Sequence, residues 1–103
     1  MQHLVRLAGQ FEEASQRYAV TNGITRNDDW FILKLQEELG ELTQVWIKLT
    51  ERGRRRGLGE AELREALADE TADLLGHILL FAQKNNIDLA PAIARKWRFE
   101  PKA

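Results

Sequence analysis

Apolar residues recur every three or four positions along most of the chain, and only two prolines are present, Pro91 and Pro101, both near the C-terminal end. This combination admits helices and little else. A spacing of three to four matches the 3.6-residue turn, whereas a half-buried strand needs strict alternation, which occurs nowhere over a useful length. Leu4, Leu7, Phe11, Ala14 and Tyr18 mark a first helix that ends near Thr21, Asn22 and Gly23. Asp28 or Asp29 can cap a second helix running to about Arg52, with Leu35, Leu39, Leu42, Trp46 and Leu49 as its apolar stripe. The glycines of the stretch 52–59 mark a loop. A third helix spans about Glu60 to Lys84, and its second half, 71–82, is apolar on nearly every side, so it is expected to be the most buried element. Asp88 can cap a short fourth helix that holds Pro91 in its first turn, where a missing amide does no harm. The expected fold is all-α, a small bundle of about four helices forming one domain over residues 1–103. A chain of this length encloses only a modest core, so self-association is expected to complete it.

Charged residues make up 30% and hydrophobic ones 44% of the chain, the mixture of a globular domain rather than a disordered one. The net charge of −1 offers no basic surplus to bind nucleic acid, and none is expected as a specific partner. The absence of cysteine excludes a disulfide framework and thiolate metal sites, which suits a reducing compartment. The first residues alternate apolar and charged side chains, unlike a signal peptide, and the apolar run 78–82 is too short to span a bilayer. A cytoplasmic protein without a membrane partner is the expectation.

The second helix crowds like charges. Glu38 and Glu41 project about 60° apart and Glu37 about 40° from Glu41, so all three share one side, with Trp30 and Lys34. The leucine stripe faces roughly a right angle away. On the third helix Glu70 falls in line with Leu63, Leu67, Leu74 and Phe81, with Asp73 one step round. A carboxylate on a core line is costly unless a cation or strong donors meet it. A solvated acidic face usually carries basic partners four residues on. Here the residues four after Glu37, Glu38, Glu41, Glu70 and Asp73 are Glu41, Leu42, Val45, Leu74 and His77. Two antiparallel helices, each offering acids three apart, can bring four carboxylates to one point. Oxygen-only ligation of that kind suits Mg²⁺, or Mn²⁺, bridged to phosphates. Glu38, Glu41, Glu70 and Asp73 are the candidate ligands. Glu37 and Glu38 are the candidate catalytic residues, Glu37 to orient or deprotonate a water.

The EExxE of residues 37–41 followed by the ExxD of residues 70–73 resembles the all-α nucleoside triphosphate pyrophosphohydrolases, the MazG family. The stretch 85–97, an isoleucine-aspartate-leucine turn and then a helix with a lysine, is similar to the same family, and the likeness covers roughly residues 28–97. The resemblance implies cleavage of the α–β phosphoanhydride of a nucleoside triphosphate to monophosphate and pyrophosphate, with Mg²⁺ held by the matching acids. It also implies dimers or tetramers. Lys96 matches the family's lysine, but Trp97 stands where an asparagine often follows.

Several residues carry two readings. Arg52, Arg54, Arg55 and Arg56 either tip a solvated loop or grip phosphates with their guanidinium forks, Arg55 being the candidate contact. Trp30 stacks on a base or packs; Trp46 lies on the leucine stripe and reads as core; Trp97 packs its helix or meets another subunit. His77 holds Asp73 or is a satisfied core residue, and Lys34 contacts a phosphate or softens the acids. Two rival functions remain at this stage. A di-iron carboxylate oxidoreductase needs Glu-x-x-His, which this chain lacks. A non-catalytic helical interaction module would simply keep its acidic face in water.

Overall fold

The computed structural model describes residues 2–102. Four helices follow one another, α1 (Gln2–Asn22), α2 (Asp28–Leu49), α3 (Glu60–Lys84) and α4 (Leu89–Trp97), and no strand occurs among the described residues. None of them is long and apolar enough to cross a membrane.

The helix ends are set by local chemistry. Asn27, rather than Asp28 or Asp29, caps α2: its side-chain oxygen accepts from the Trp30 N–H at 2.9 Å. The two aspartates fall in the first turn instead, where negative charge meets the positive end of the helix dipole. At α3, Gly59 has no side chain to cap with, and Glu62 reaches back to accept from the Gly59 N–H at 3.2 Å. Asp88 caps α4 as its spacing predicts, accepting from the Ala90 N–H at 3.3 Å.

Helices α1, α2 and α3 close in the same way. The residue after the cap turns left-handed (Gly23, φ 64°; Glu51, φ 63°; Asn86, φ 56°). The next N–H then reaches back five residues to a carbonyl, Ile24 to Ala19, Arg52 to Ile47 and Ile87 to Ala82, each at 2.9 Å. This six-to-one bond is the mark of a Schellman motif. Because the turn begins at Glu51, α2 stops at Leu49 and not near Arg52. Glycine takes the left-handed conformation freely and asparagine tolerates it, but glutamate pays for its Cβ.

Packing centres on α3, which α2 and α1 both lie against. Phe31 and Leu49 of α2, Leu63, Leu79, Leu80 and Ala82 of α3, and Ala8 and Ala19 of α1 make the buried core. Helix α1 crosses α3 at Gly76, where an added Cβ would stand 2.6 Å from the Phe11 ring. A clamp fixes α1 to the start of α2. Arg26 donates to both Glu12 carboxylate oxygens at 2.9 and 2.8 Å and to Ser15 at 3.1 Å, with its guanidinium 5.3 Å over Phe31.

The second half of α3 holds Gly76, Leu79, Leu80 and Ala82, and α3 is the most buried helix, as expected, although Leu75 and Ile78 stay open. One expectation fails: Trp46 is not core, and it and Leu39 are about half exposed. The reason is the layering: α1 and α2 cover two sides of α3, and α2 turns its Phe31 and Leu49 line toward it, leaving the Leu39 and Trp46 edge uncovered. Helix α4 buries no residue.

Replacing Glu51 by glycine is expected to stabilise the chain by about 1 kcal/mol in urea unfolding, since the left-handed cost disappears and only a surface ion pair is lost. Gly76→Ala is expected to destabilise it by about 1 kcal/mol despite the better helix propensity of alanine, because Phe11 must move; Phe11→Leu in the same chain should recover the loss.

Candidate metal centre

Helices α2 and α3 face one another at the acids. One carboxylate oxygen each from Glu38, Glu70 and Asp73 lies within 4.8 Å of the others, and the same holds for Glu37, Glu38 and Glu41. Glu38 belongs to both groups and joins them. It is 7% exposed, the buried charged side chain of the core, whereas Glu37, Glu41 and Asp73 are exposed and Glu70 is half-buried. Glu38 Oε2 and Glu70 Oε2 are buried without a hydrogen-bond partner. Unpartnered buried carboxylate oxygens are rare in folded proteins because each gives up its hydration for nothing.

The electrostatics follow. Burial first, then the charges of Glu41, Asp73 and Glu70, push the Glu38 carboxyl up to about 7, with Lys34 pulling the other way. Glu70 is also raised, by burial, by Glu41 and Asp73, and by a hydrogen bond with Glu41. The carboxylate paired with His77 is Glu38 rather than Asp73. The His77 Nε2 lies 3.9 Å from Glu38 Oε1, its Nδ1 has no partner, and burial followed by the Lys34 charge lowers its pKa, so the ring is neutral at pH 7. Lys34 supplies the cation nearest the cluster, paired with Glu37 at 3.4 Å. That bond runs three residues back along the helix, the direction in which the four-residue rule does not look.

Beside the acids lies a cavity of about 420 Å³ between α1, α2 and α3. Trp30, Lys34 and Glu38 of α2 and Asp73 and His77 of α3 line it. Trp30 stands edge-on to Phe31 and His77, with ring centroids 5.0 and 5.9 Å away. The α1 side of the wall includes Phe11, Ser15 and Tyr18, of which Phe11 and Tyr18 lie on the apolar stripe of that helix. Their spacing of four and three residues does put them on one face, but only α1's crossing angle turns that face to the acids.

Two candidate contacts lie elsewhere. Arg55 Nε donates to the Lys48 carbonyl at 3.2 Å and an Arg55 terminal nitrogen to the Leu49 carbonyl at 3.1 Å. It closes the C-terminal end of α2, with Glu51 and Glu60 nearby, and its donors are not turned to a phosphate. Arg52, Arg54 and Arg56 are exposed. Lys96 is exposed in the last turn of α4. The chain matches no family model, no curated protein and no solved structure.

The raised Glu38 pKa has a sign. The folded chain binds this proton more tightly than the unfolded chain does, so the cluster grows more stable as pH falls from about 7 toward 4.5. Above pH 7 the folded state carries the full penalty, roughly 3 kcal/mol. Glu12, lowered by its bond to Arg26, acts oppositely and is lost only in stronger acid. With chelator present, the denaturation midpoint is expected to be higher at pH 5.5 than at pH 7.5, and Glu38→Gln should remove most of that difference. Steady loss of stability from pH 7.5 to 5.5 in the unsubstituted chain would contradict the burial of a strained carboxylate.

Proposed function

We propose that this chain is a Mg²⁺-dependent nucleoside triphosphate pyrophosphohydrolase of the MazG type, releasing monophosphate and pyrophosphate. The observation that carries the reading is the pair of buried, unpartnered oxygens on Glu38 and Glu70, set beside Asp73. An interaction surface keeps its acids in water; two carboxylate oxygens held out of water beside further acids fit a divalent cation. Glu38, Glu41, Glu70 and Asp73 would hold it, and their all-oxygen donor set suits Mg²⁺ or Mn²⁺. Such an ion, when bound, supplies positive charge to the phosphates and to the departing pyrophosphate.

The chain's own groups have separate tasks. Glu37 is exposed and held by Lys34, which leaves one carboxylate edge to orient a water and accept its proton as the new phosphorus–oxygen bond forms and the anhydride bond breaks. Glu38, easily protonated on its own, would give up that proton to become a ligand when the cation is bound, and would lie beside Glu37 as a second catalytic carboxylate. Lys34 Nζ contacts a phosphate oxygen at the rim. Trp30 and the α1 aromatics give the cavity a wall against which a base stacks. Lys96 remains a phosphate contact by resemblance, and self-association is part of the same reading.

The test is product analysis over a panel of nucleoside triphosphates, with and without Mg²⁺. Pyrophosphate plus monophosphate is expected only with the ion, and Glu38→Gln or Glu70→Gln should lower the rate on the order of 100-fold or more in a chain that stays helical. Orthophosphate release would mean another bond is cut, and inertness across the panel would favour a non-catalytic interaction module.

A further inference from the structure

Basic and aromatic residues alternate where α4 ends: Lys96, Trp97, Arg98 and Phe99. Trp97 is 71% and Phe99 56% exposed, although both side chain types are usually drawn largely into a core. Leu89, Ile93 and Trp97 stand four residues apart and share one line along α4. Leu89 and Ile93 are half-buried, and the line then runs off the body at Trp97. The last turn of α4 overhangs its support.

The cations beside these rings are free. Lys96 and Arg98 are exposed, and neither makes an ion pair or a side-chain hydrogen bond among the described residues. Over 95–102 four basic residues meet a single acid, Glu100, so this end is locally basic in a chain whose net charge is −1. Arg98 closes α4 in the left-handed conformation, φ 64°, with its N–H bonded to the Ala94 carbonyl at 3.0 Å. Glycine is the usual residue there, and backbone strain of this kind gathers at positions where the side chain has a use.

Rings interleaved with cations match both halves of a nucleotide. An aromatic face stacks on any base, and the neighbouring cation meets the phosphate that follows. A lipid surface takes the same residue types, but it holds a helix by an apolar face along its whole length. Here Leu89 and Ile93 are turned to the body and leave only two rings. An acidic peptide would engage the cations and leave the rings in water.

We propose that the end of α4 and the residues that follow it bind single-stranded nucleic acid without regard to sequence, Trp97 and Phe99 stacking on bases while Lys96 and Arg98 meet phosphates. None of these residues lines the cavity beside the acids, and the inference stands whether or not the chain hydrolyses nucleotides.

Fluorescence anisotropy of a labelled oligothymidylate tests it, with chelator present so that no cation at the acids takes part. Binding at about 10–100 μM in about 50 mM salt is expected, weakening about 7-fold at about 200 mM because two phosphate contacts give a log–log slope of about −1.4. No binding at millimolar protein overturns the proposal, and so does a slope near zero. Trp97→Ala should weaken binding on the order of 10-fold and Trp97→Phe should keep most of it; equal affinity in Trp97→Ala and the unsubstituted chain overturns it. Arg98→Gln should halve the slope. Arg95→Gln, about 160° round the helix from Trp97, is the control and should leave affinity within about twofold. Lys96, a phosphate contact in the proposed hydrolase, is left unsubstituted. Inorganic polyphosphate carries no bases, so Trp97→Ala should not change its binding, and an equal loss there overturns the stacking role. If phosphatidylserine vesicles, or a second copy in sedimentation, are held through Trp97 while oligothymidylate is not, the proposal is overturned.

Discussion

Three carboxylates share the contact between α2 and α3, and one of them, Glu38, has been taken out of water. Removing a charge from water costs several kcal/mol unless a partner replaces the lost hydration. The helices nevertheless pack there, because Phe31, Leu49, Leu63 and their neighbours bury enough apolar surface to hold the acids together. The strain is relieved by a proton, which draws the Glu38 pKa to about 7, or by a cation. Lys34, paired with Glu37, is the one cation that pulls the Glu38 pKa back down.

Helix α1 contributes no acid to the cluster, yet it decides how the cluster meets solvent. The Arg26 clamp and the close fit of Phe11 on Gly76 set its position. A bidentate guanidinium contact with side chains 15% and 26% exposed is stiffer than a surface pair, and the cation over Phe31 adds to it. The result is a half-open cavity beside the acids, with α1 as one of its walls.

Much of this was legible in the residues. Helix spans follow from a period that is local, and Asp88 announced its cap. Glu70 betrayed the acid cluster because it stands on a core line where a lone carboxylate has no reason to be. What failed depends on neighbours. Trp46 lies on an apolar stripe, but a stripe says only that a face avoids water, not which helix covers it. The four loop arginines look alike in sequence, and Arg55 is singled out by a turn that begins at Glu51, a residue no glycine rule would have marked. The Glu12 and Arg26 clamp spans fourteen residues with no periodic signal to tie them.

Since α2 and α3 carry the acids while α1 supplies Phe11 and Tyr18 to the wall, the charge cluster and much of the cavity's shape reside on different segments of the polypeptide. Substitutions at Tyr18 remodel the chamber's outline without touching the Arg26 clamp or a carboxylate of the cluster. The outline of the cavity can therefore change while the acid cluster stays constant.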